Sequence, residues 1–262
     1  MILVMDVGNT NIKLGLFDSV SLQKSWRIST QRNQTADEYG VTISNLLREN
    51  GYDKKIIEGI IFSSVNPSLN FTLVQMCKYY FNVPPMQVGP GIKTGLNLRY
   101  KDPKEVGSDR IVNSVAVHSI YKKTVIVIDF GTASTFNVVT KSGEFLGGVI
   151  APGIKVTASA LTDAGAKLPK VELVKPASVI SQTTSSNMQS GIINGFIGLC
   201  EYIVRKMKEE LAEKGETDVL VVATGGMCEL ISDEEKIIDV KDRSLTLKGL
   251  KILYDMNVED KK

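Results

Sequence analysis

The sequence predicts a mixed α/β fold made of two copies of one unit. Short apolar runs alternate along its 262 residues with longer amphipathic stretches, which is typical of strands and helices that share a sheet. An internal similarity indicates the duplication, because the segment around Asp6 aligns with the segment around Asp129, 123 residues later. In both segments an apolar strand ends in Asp-x-Gly and leads into a polar turn and another strand. Chance similarity of two strand–turn segments is the alternative.

The first half of the chain is predicted to contain five strands and two helices. The strands are expected at residues 2–6, 12–17, 22–28, 57–63 and 83–88, and the helices at residues 36–49 and 67–80. Pro67 suits the first turn of its helix. Residues 89–103 contain three glycines and two prolines, which is typical of a linker. The expected domains are therefore residues 1–103 and 104–262.

The second half is predicted to repeat the pattern. Strands are expected at residues 124–128, 134–140, 144–150 and 219–223, and helices at residues 105–121, 153–161, 185–213 and 247–255. Gly215 suits the end of the longest helix. Thr224-Gly225-Gly226 is expected to turn the last strand into a helix.

Composition and charge exclude several classes of protein. With 43% hydrophobic and 23% charged residues, the chain is neither disordered nor a coiled coil. A net charge of +2 gives no general attraction to nucleic acid or to an anionic membrane. Three isolated cysteines indicate neither a disulfide framework nor a zinc site. The N-terminus lacks the pattern of a signal peptide and no apolar run is long enough to span a membrane, so the expected location is the cytoplasm.

The two Asp-x-Gly turns indicate phosphate binding. A carboxylate at a strand end can hold a hydrated divalent ion, and the following glycine lets backbone N–H groups approach phosphoryl oxygens. Lys13 can add a positive charge beside them. Each turn alone is also an ordinary hairpin turn. Two such turns, with Thr224-Gly225-Gly226 after a third strand, predict a nucleotide cleft between two halves.

Several motifs together resemble those of the type III pantothenate kinases. The first phosphate motif of that family is similar to residues 6–13, DVGNTNIK, and the second to residues 129–133, DFGTA. Residues 107–110, GSDR, resemble the family's GxDR motif, and residues 147–153, GGVIAPG, its GGxIxPG segment. Thr184 stands where the family has a substrate-binding threonine. The motifs run in order from residue 6 to residue 226, so the resemblance covers nearly the whole chain.

The resemblance implies a fold, a reaction and partners. The fold is that of the acetate and sugar kinase, Hsp70 and actin superfamily, with two duplicated actin/RNase H-like α/β domains and ATP between them. The reaction is transfer of the γ-phosphoryl group of Mg-ATP to the 4′-hydroxyl of pantothenate, the first step of coenzyme A synthesis. Family members also need potassium or ammonium, and they are homodimers.

The resemblance also implies a role for each motif residue. Asp109 matches the general base, and Arg110 can hold substrate oxygens or the transferred phosphoryl group. The expected monovalent-cation ligand is Asp129. The residues expected to bind ATP and magnesium are Asp6, Val7, Gly8, Asn9, Thr10, Asn11, Ile12, Lys13 and Thr132, with Asp6 as the magnesium ligand. The residues expected to bind pantothenate are Tyr100, Gly107, Ser108, Asp109, Arg110 and Thr184.

Simpler interpretations of these residues stay open. Asp109-Arg110 also suits a solvated first helical turn, where an acid complements the helix dipole. Tyr100 also suits an aromatic residue that packs on the core, and Thr184 a helix cap. The chain departs from the family at Asn137, where Asp is usual, and at Thr183, where Asn is usual.

Two other functions compete with the kinase. The family also carries the name Bvg accessory factor, so a non-catalytic nucleotide-binding regulator is one alternative. Another kinase or phosphohydrolase of the same superfamily is the second, because a fold does not fix a function. Gly107–Arg110 with Tyr100 favours pantothenate, since the phosphate motifs are shared across the superfamily.

Overall fold

The structure, a computed structural model, describes residues 1–230 and 236–258. The strands are β1 (Ile2–Val7), β2 (Asn11–Phe17), β3 (Leu22–Ser29), β4 (Gly59–Ser64), β5 (Met86–Gln87), β6 (Asn97–Leu98), β7 (Thr124–Phe130), β8 (Ala133–Val139), β9 (Glu144–Pro152), β10 (Val219–Gly225) and β11 (Val240–Lys241). The α-helices are α1 (Ala36–Glu49), α2 (Asn70–Met76), α3 (Ser108–Tyr121), α4 (Ile154–Ala164), α5 (Thr184–Glu213) and α6 (Leu245–Val258).

The chain forms two compact α/β units. The first contains Met1–Leu96, Lys101–Ser119 and the C-terminal segment from Ser244, and the second contains Asn97–Tyr100 and Ile120–Arg243. The predicted domain limits of residues 1–103 and 104–262 differ from these units, because α3 and α6 pack with the first sheet. A division of the sequence at a single position cannot describe these units, because α6 lies near the C-terminus and yet belongs to the first unit.

The two sheets repeat one topology. The first has the strand order β3-β2-β1-β4-β5, and the second contains the corresponding order β9-β8-β7-β10-β11, with β6 added beside β9. In each sheet a central strand pairs antiparallel with the next strand and parallel with a later one. Asp6 and Asp129 occupy corresponding places on β1 and β7. The duplicated α/β fold that the sequence predicts is therefore confirmed.

The first sheet is covered by helices on both faces. Alternate residues of β1 point to opposite faces, so Met5 joins the core that includes Tyr39 and Leu73, while Val4 joins the core that includes Val112 and Leu250. The first of these cores includes α1 and α2, and the second includes α3 and α6. Asp6 is two residues after Val4, so its side chain lies on the same face of the sheet, which is the face covered by α3.

The second sheet packs one face against α5. Ile126, Ile128 and Phe130 of β7 lie in one core with Ile192 and Phe196 of this helix. Asp129 belongs to the opposite face, in alternation with Phe130. The same alternation thus places Asp6 on the face opposite Met5 and Asp129 on the face opposite Phe130.

Several predicted elements differ in the structure. The helix expected at residues 67–80 consists of a 3₁₀ turn at Pro67–Leu69, α2 and a π-helical turn at Cys77–Phe81. The strands β6 and β11 were not predicted, since each has two residues and depends on pairing with a distant strand. Instead of a full helix after Gly226, the described residues contain a short 3₁₀ turn at Cys228–Leu230, and the rest of that prediction includes residues 231–235, outside the described residues.

Candidate active site

A row of three polar residues crosses the first sheet at the end of β1. Asp6 lies opposite Lys13 of β2 and opposite Ser63 of β4. Lys13 Nζ is 3.4 Å from Asp6 Oδ2, and Ser63 Oγ donates a hydrogen bond of 3.0 Å to Asp6 Oδ1. The Asp6 side chain is 13% exposed and Ser63 is fully buried. The carboxylate is thus held on both of its oxygens, one by a cation and the other by a hydroxyl.

The turn after Asp6 is fixed by its own backbone and by Thr30, the residue after β3. Gly8 N–H donates to Asn11 C=O at 3.0 Å, and Thr30 Oγ1 donates to Gly8 C=O at 2.8 Å. Thr30 N–H also donates to Thr10 C=O at 3.0 Å. Asn9 and Thr10 are exposed at the tip of this turn. The turn therefore presents polar side chains on a rigid backbone, as a phosphate-binding loop requires.

The first turn of α3 is attached to the end of β4. Ser108 Oγ accepts a hydrogen bond of 3.2 Å from Ser64 N–H and donates one of 3.0 Å to Ser64 C=O. Because β4 lies beside β1, this attachment fixes the GxDR segment in the same unit as Asp6 and Lys13. The Ser108 hydroxyl is thus engaged with the backbone of Ser64.

The side chains of the GxDR segment have different environments. Asp109 Oδ1 accepts a hydrogen bond of 2.9 Å from Arg110 N–H, and Arg110 is only 5% exposed. A Cβ added to Gly107 would lie 2.6 Å from Asp109 Oδ1. Glycine at position 107 therefore leaves the space that the Asp109 carboxylate occupies. The helix dipole of α3 also favours a negative charge here.

The second sheet contains the corresponding polar row. Asp129 lies opposite Thr135 of β8 and Thr224 of β10, where the first sheet has Lys13 and Ser63. Thr224 is fully buried, and its Oγ1 has no hydrogen-bond partner among the described residues. Asn137 Nδ2 lies 3.4 Å from Thr135 Oγ1 and donates to it. The two strand positions opposite Asp129 are therefore occupied by threonines, where the first row has a lysine and a serine.

Two glycines fit closely around the second Asp-x-Gly turn. Gly225 has φ +95°, and a Cβ there would lie 2.6 Å from Asp129 Oδ1 and from the Phe130 backbone. A Cβ on Gly153 would lie 2.3 Å from the carbonyl oxygen of Thr132, which accepts a hydrogen bond from Gly153 N–H at 3.0 Å. Thr132 itself is exposed. The Thr224-Gly225-Gly226 motif, through Gly225, and the GGxIxPG motif, through Gly153, therefore both pack against this turn.

Tyr100 and Thr184 both belong to the second unit. The Tyr100 ring lies 6.1 Å from the Phe145 ring, and a Cβ on Gly147 would lie 3.5 Å from it. Thr184 is exposed at the first residue of α5, and the helix cap is Thr183, whose Oγ1 accepts a hydrogen bond of 3.1 Å from Ser186 N–H. The capping interpretation of Thr184 is therefore wrong by one residue, and Thr183 has this role.

The residues of the first row fit magnesium bound together with a nucleotide. Within residues 1–230 and 236–258, no three His, Cys, Asp or Glu side chains are grouped as a metal site. Magnesium in phosphate-transfer sites takes one or two carboxylates and completes its coordination with water and phosphate oxygens. A single carboxylate, Asp6, beside the exposed turn matches that requirement.

The residues of the second row fit a monovalent cation. The unpartnered buried hydroxyl of Thr224 and the carboxylate of Asp129 are oxygen ligands on neighbouring strands. Such oxygens can replace the hydration shell of a large monovalent ion. This fit depends on Thr224, which sequence reasoning noted only as part of a turn.

Comparison with known proteins identifies the family. The sequence pattern of the type III pantothenate kinases matches residues 2–206, which is most of the chain. The chain belongs to this family. Membership assigns it to the ATP-using phosphotransferases that act on a small molecule. No helix in the described part of the chain has the length and apolar character needed to cross a membrane.

Solved structures of low identity share the fold. A Baf family protein from Campylobacter jejuni is 19% identical with a TM-score of 0.59, and the match covers 98% of this chain and 99% of that one. A protein described as a 2-dehydro-3-deoxygalactonokinase from Sinorhizobium meliloti is 9% identical with a TM-score of 0.62, covering 98% and 96%. Ethanolamine utilization protein EutJ from Carboxydothermus hydrogenoformans is 11% identical with a TM-score of 0.53, covering 96% and 89%.

Sequence reasoning missed the residues on β4. Ser63 and Ser64 contact Asp6 and Ser108, yet they are not part of any motif that the sequence analysis identified. One signal was present, because two serines end a strand whose other residues are apolar. A buried hydroxyl in such a strand is unfavourable unless it has a hydrogen-bond partner, so it indicates one nearby.

Proposed function

We propose that this member of the family phosphorylates pantothenate at its 4′-hydroxyl with ATP, the first step of coenzyme A synthesis. The observation that carries the proposal is the attachment of the GxDR segment to β4 in the same unit as Asp6 and Lys13. This arrangement supports a general base and a phosphate-binding loop on one rigid sheet. The family match supports the same reaction.

Asp109 is proposed as the general base. Its Oδ1 accepts a hydrogen bond from Arg110 N–H, which fixes the carboxylate at the start of α3, and this carboxylate would accept the proton of the substrate hydroxyl. Phosphoryl transfer has a loose transition state, so the protein acts mainly by positioning and by neutralising charge. The planar guanidinium of Arg110 suits the second task, since it can donate two parallel hydrogen bonds to phosphoryl or carboxylate oxygens.

The first polar row and its turn are proposed to bind the phosphates of ATP. Asp6 would hold magnesium, and Lys13 would contribute charge to the same phosphates. The remaining backbone and side-chain donors of the turn are Val7, Gly8, Asn9, Thr10, Asn11 and Ile12, with Thr132 on the second turn. Magnesium, when bound, supplies neutralisation of phosphate charge. The exposed tip of the turn supports this assignment.

Asp129 is proposed as the ligand of potassium or ammonium. The hydroxyl of Thr224 would supply a second oxygen, and that of Thr135 a third. Asn137 stands where the family usually has Asp, but its amide is engaged with Thr135 and adds no charge at this place. The departure therefore lowers the local negative charge without removing the proposed ligand.

Pantothenate is proposed to contact the GxDR segment, Tyr100 and Thr184. The Tyr100 ring, packed beside Phe145, would form an apolar wall, and Thr184 would offer an exposed hydroxyl. Gly107, Asp109 and Arg110 would contact the polar end of the substrate, with Ser108 acting through the backbone. We further propose that the protein is a cytoplasmic homodimer, as the family resemblance implies.

Transfer of phosphate from Mg-ATP to pantothenate by the purified protein tests the proposal, with potassium, ammonium and sodium compared. Phosphopantothenate that forms only with potassium or ammonium is the expected result. ATP consumption that does not depend on pantothenate would instead indicate another kinase or a phosphohydrolase. ATP binding without turnover in any salt would favour the non-catalytic regulator.

A further inference from the structure

The end of β4 contains two serines in an otherwise apolar strand. Ile60, Ile61 and Phe62 are buried in the cores, and the buried Ser63 follows them directly. A buried hydroxyl is stabilising only when it is hydrogen-bonded, and Ser63 Oγ donates to Asp6 Oδ1 at 3.0 Å. Ser64 follows with its backbone N–H and C=O both bonded to Ser108 Oγ.

We infer that this strand end, Ser63-Ser64, is a positioning element that orients both acids of the first unit. Ser63 fixes the rotation of the Asp6 carboxylate, so that Oδ1 is occupied and Oδ2 faces Lys13 Nζ at 3.4 Å. The backbone of Ser64 fixes the first turn of α3 and with it Asp109. The inference rests on the proposed function for the roles of the two acids.

The duplicated sheet provides an internal comparison. Thr224 occupies on β10 the place that Ser63 occupies on β4, opposite the Asp-x-Gly acid in both cases. The Thr224 hydroxyl has no partner in the described structure, whereas that of Ser63 is bonded to its acid. A hydroxyl residue thus occupies this place in both units, but among the described residues only that of the first unit is bonded to its carboxylate.

Serine-to-alanine variants separate the two halves of this element. Ser63→Ala removes the bond to Asp6, and we expect about a tenfold higher magnesium requirement for ADP binding, the usual effect of one hydrogen bond to a charged group. Ser108→Ala removes the attachment of α3, and we expect kcat to fall about tenfold while the magnesium dependence of ADP binding stays unchanged. Ser63→Thr, which keeps the hydroxyl, should restore the magnesium dependence.

Ser68→Ala is the matched control. Its hydroxyl donates to Asn66 Oδ1 just after β4 and contacts neither acid, so neither property should change. Thermal unfolding of every variant separates a loss of positioning from a loss of folding. Wild-type magnesium dependence in a folded Ser63→Ala protein would overturn the inference, as would an equal loss in both variants. Because ADP binding does not involve pantothenate, failure of the wild-type protein to phosphorylate pantothenate would overturn only the proposed function.

Discussion

Asp109 is constrained by its immediate neighbours in the chain. Gly107 leaves room for its carboxylate, Ser108 holds the preceding backbone on β4, and Arg110 N–H donates to Oδ1. These constraints hold the Asp109 carboxylate in one orientation at the start of α3. A general base needs this preorganisation, because proton transfer depends on hydrogen-bond geometry.

Asp109→Asn should lower kcat by about 10²–10⁴-fold, because the amide keeps the size and the hydrogen bond but cannot accept the proton. ADP binding should stay close to the wild-type value. Asp102→Asn is the matched control, since the Asp102 side chain accepts a hydrogen bond from Lys104 N–H in the preceding loop. Steady-state kinetics of both variants check this, and a near-normal kcat in Asp109→Asn would remove Asp109 from the mechanism.

Asp129→Ala should abolish the response of the activity to potassium or ammonium. The substitution removes the only charge of the second polar row, and the threonine hydroxyls alone bind a cation weakly. Asp163→Ala, on the exposed surface of α4, should respond to potassium as the wild type does. Activity measured against potassium concentration tests this. An unchanged potassium response in Asp129→Ala would mean that the ion binds elsewhere.

The three cysteines should be unreactive in the folded protein. Cys77, Cys200 and Cys228 are free and fully buried. Burial raises the pKa of the Cys77 and Cys200 thiols to about 12 and also raises the pKa of Cys228. At pH 8 roughly one thiol in 10⁴ is then ionised at each of the first two positions. Thiol titration should detect all three only after unfolding; rapid labelling of the native protein would contradict this.

At the scale of secondary structure, the second Asp-x-Gly turn depends on glycines from other elements. Gly225 ends β10 and Gly153 precedes α4, and side chains at either place would collide with the backbone of the turn. The motifs that appear separately in the sequence are therefore parts of one packed structure. Their joint occurrence is explained by sterics as well as by ligand binding.

Gly225→Ala should lower the free energy of unfolding by about 1–3 kcal/mol, because its φ of +95° strains any side chain and its Cβ would meet the Phe130 backbone. The potassium response should weaken as well, since Asp129 Oδ1 would have to move. Gly89→Ala is the control, because nothing lies within 4 Å of its added Cβ. Urea unfolding of both variants measures the effect, and equal stability would contradict the steric argument.

Local patterns predicted most strands and helices, but not the contacts of the site. The hairpin after Asp6, α1 and α5 follow from alternation, capping residues and helical spacing, which act within a few residues. The bond between Ser63 and Asp6 joins residues 57 positions apart, and the attachment of Ser108 to Ser64 spans 44. Such contacts depend on strand register, which a single sequence does not specify. The same reason explains the missed strands β6 and β11.

At the scale of the whole chain, duplication has given two similar rows different chemistry. The first row pairs its acid with Lys13 and Ser63, and the second surrounds its acid with Thr135 and Thr224. A lysine beside the acid suits polyanionic phosphates, whereas a carboxylate beside threonine hydroxyls is a set of oxygen ligands that suits a cation. The proposed magnesium and monovalent-cation sites would thus be two uses of one duplicated arrangement.

The long helix α5 exposes a face that contains three glycines. Gly191, Gly195 and Gly198 lie on this face with Tyr202, all exposed, and nothing lies within 4 Å of a Cβ added to any of the glycines. Each glycine costs about 1 kcal/mol relative to alanine inside a helix. Three glycines on one exposed face leave room for a close approach of another helix, and we propose that the homodimer uses this face.

Gly195→Glu should convert the proposed dimer into monomers, because a charged side chain would occupy the centre of this face and its burial would be unfavourable. Light scattering during size-exclusion chromatography measures the molar mass. The control is Gly89→Glu, in an open loop of the first unit, which should leave the mass unchanged. A wild-type protein that is monomeric would contradict the homodimer itself. A Gly195→Glu variant that stays dimeric would instead show that the interface lies on another face. Circular dichroism of the variant separates a lost interface from a helix that no longer folds.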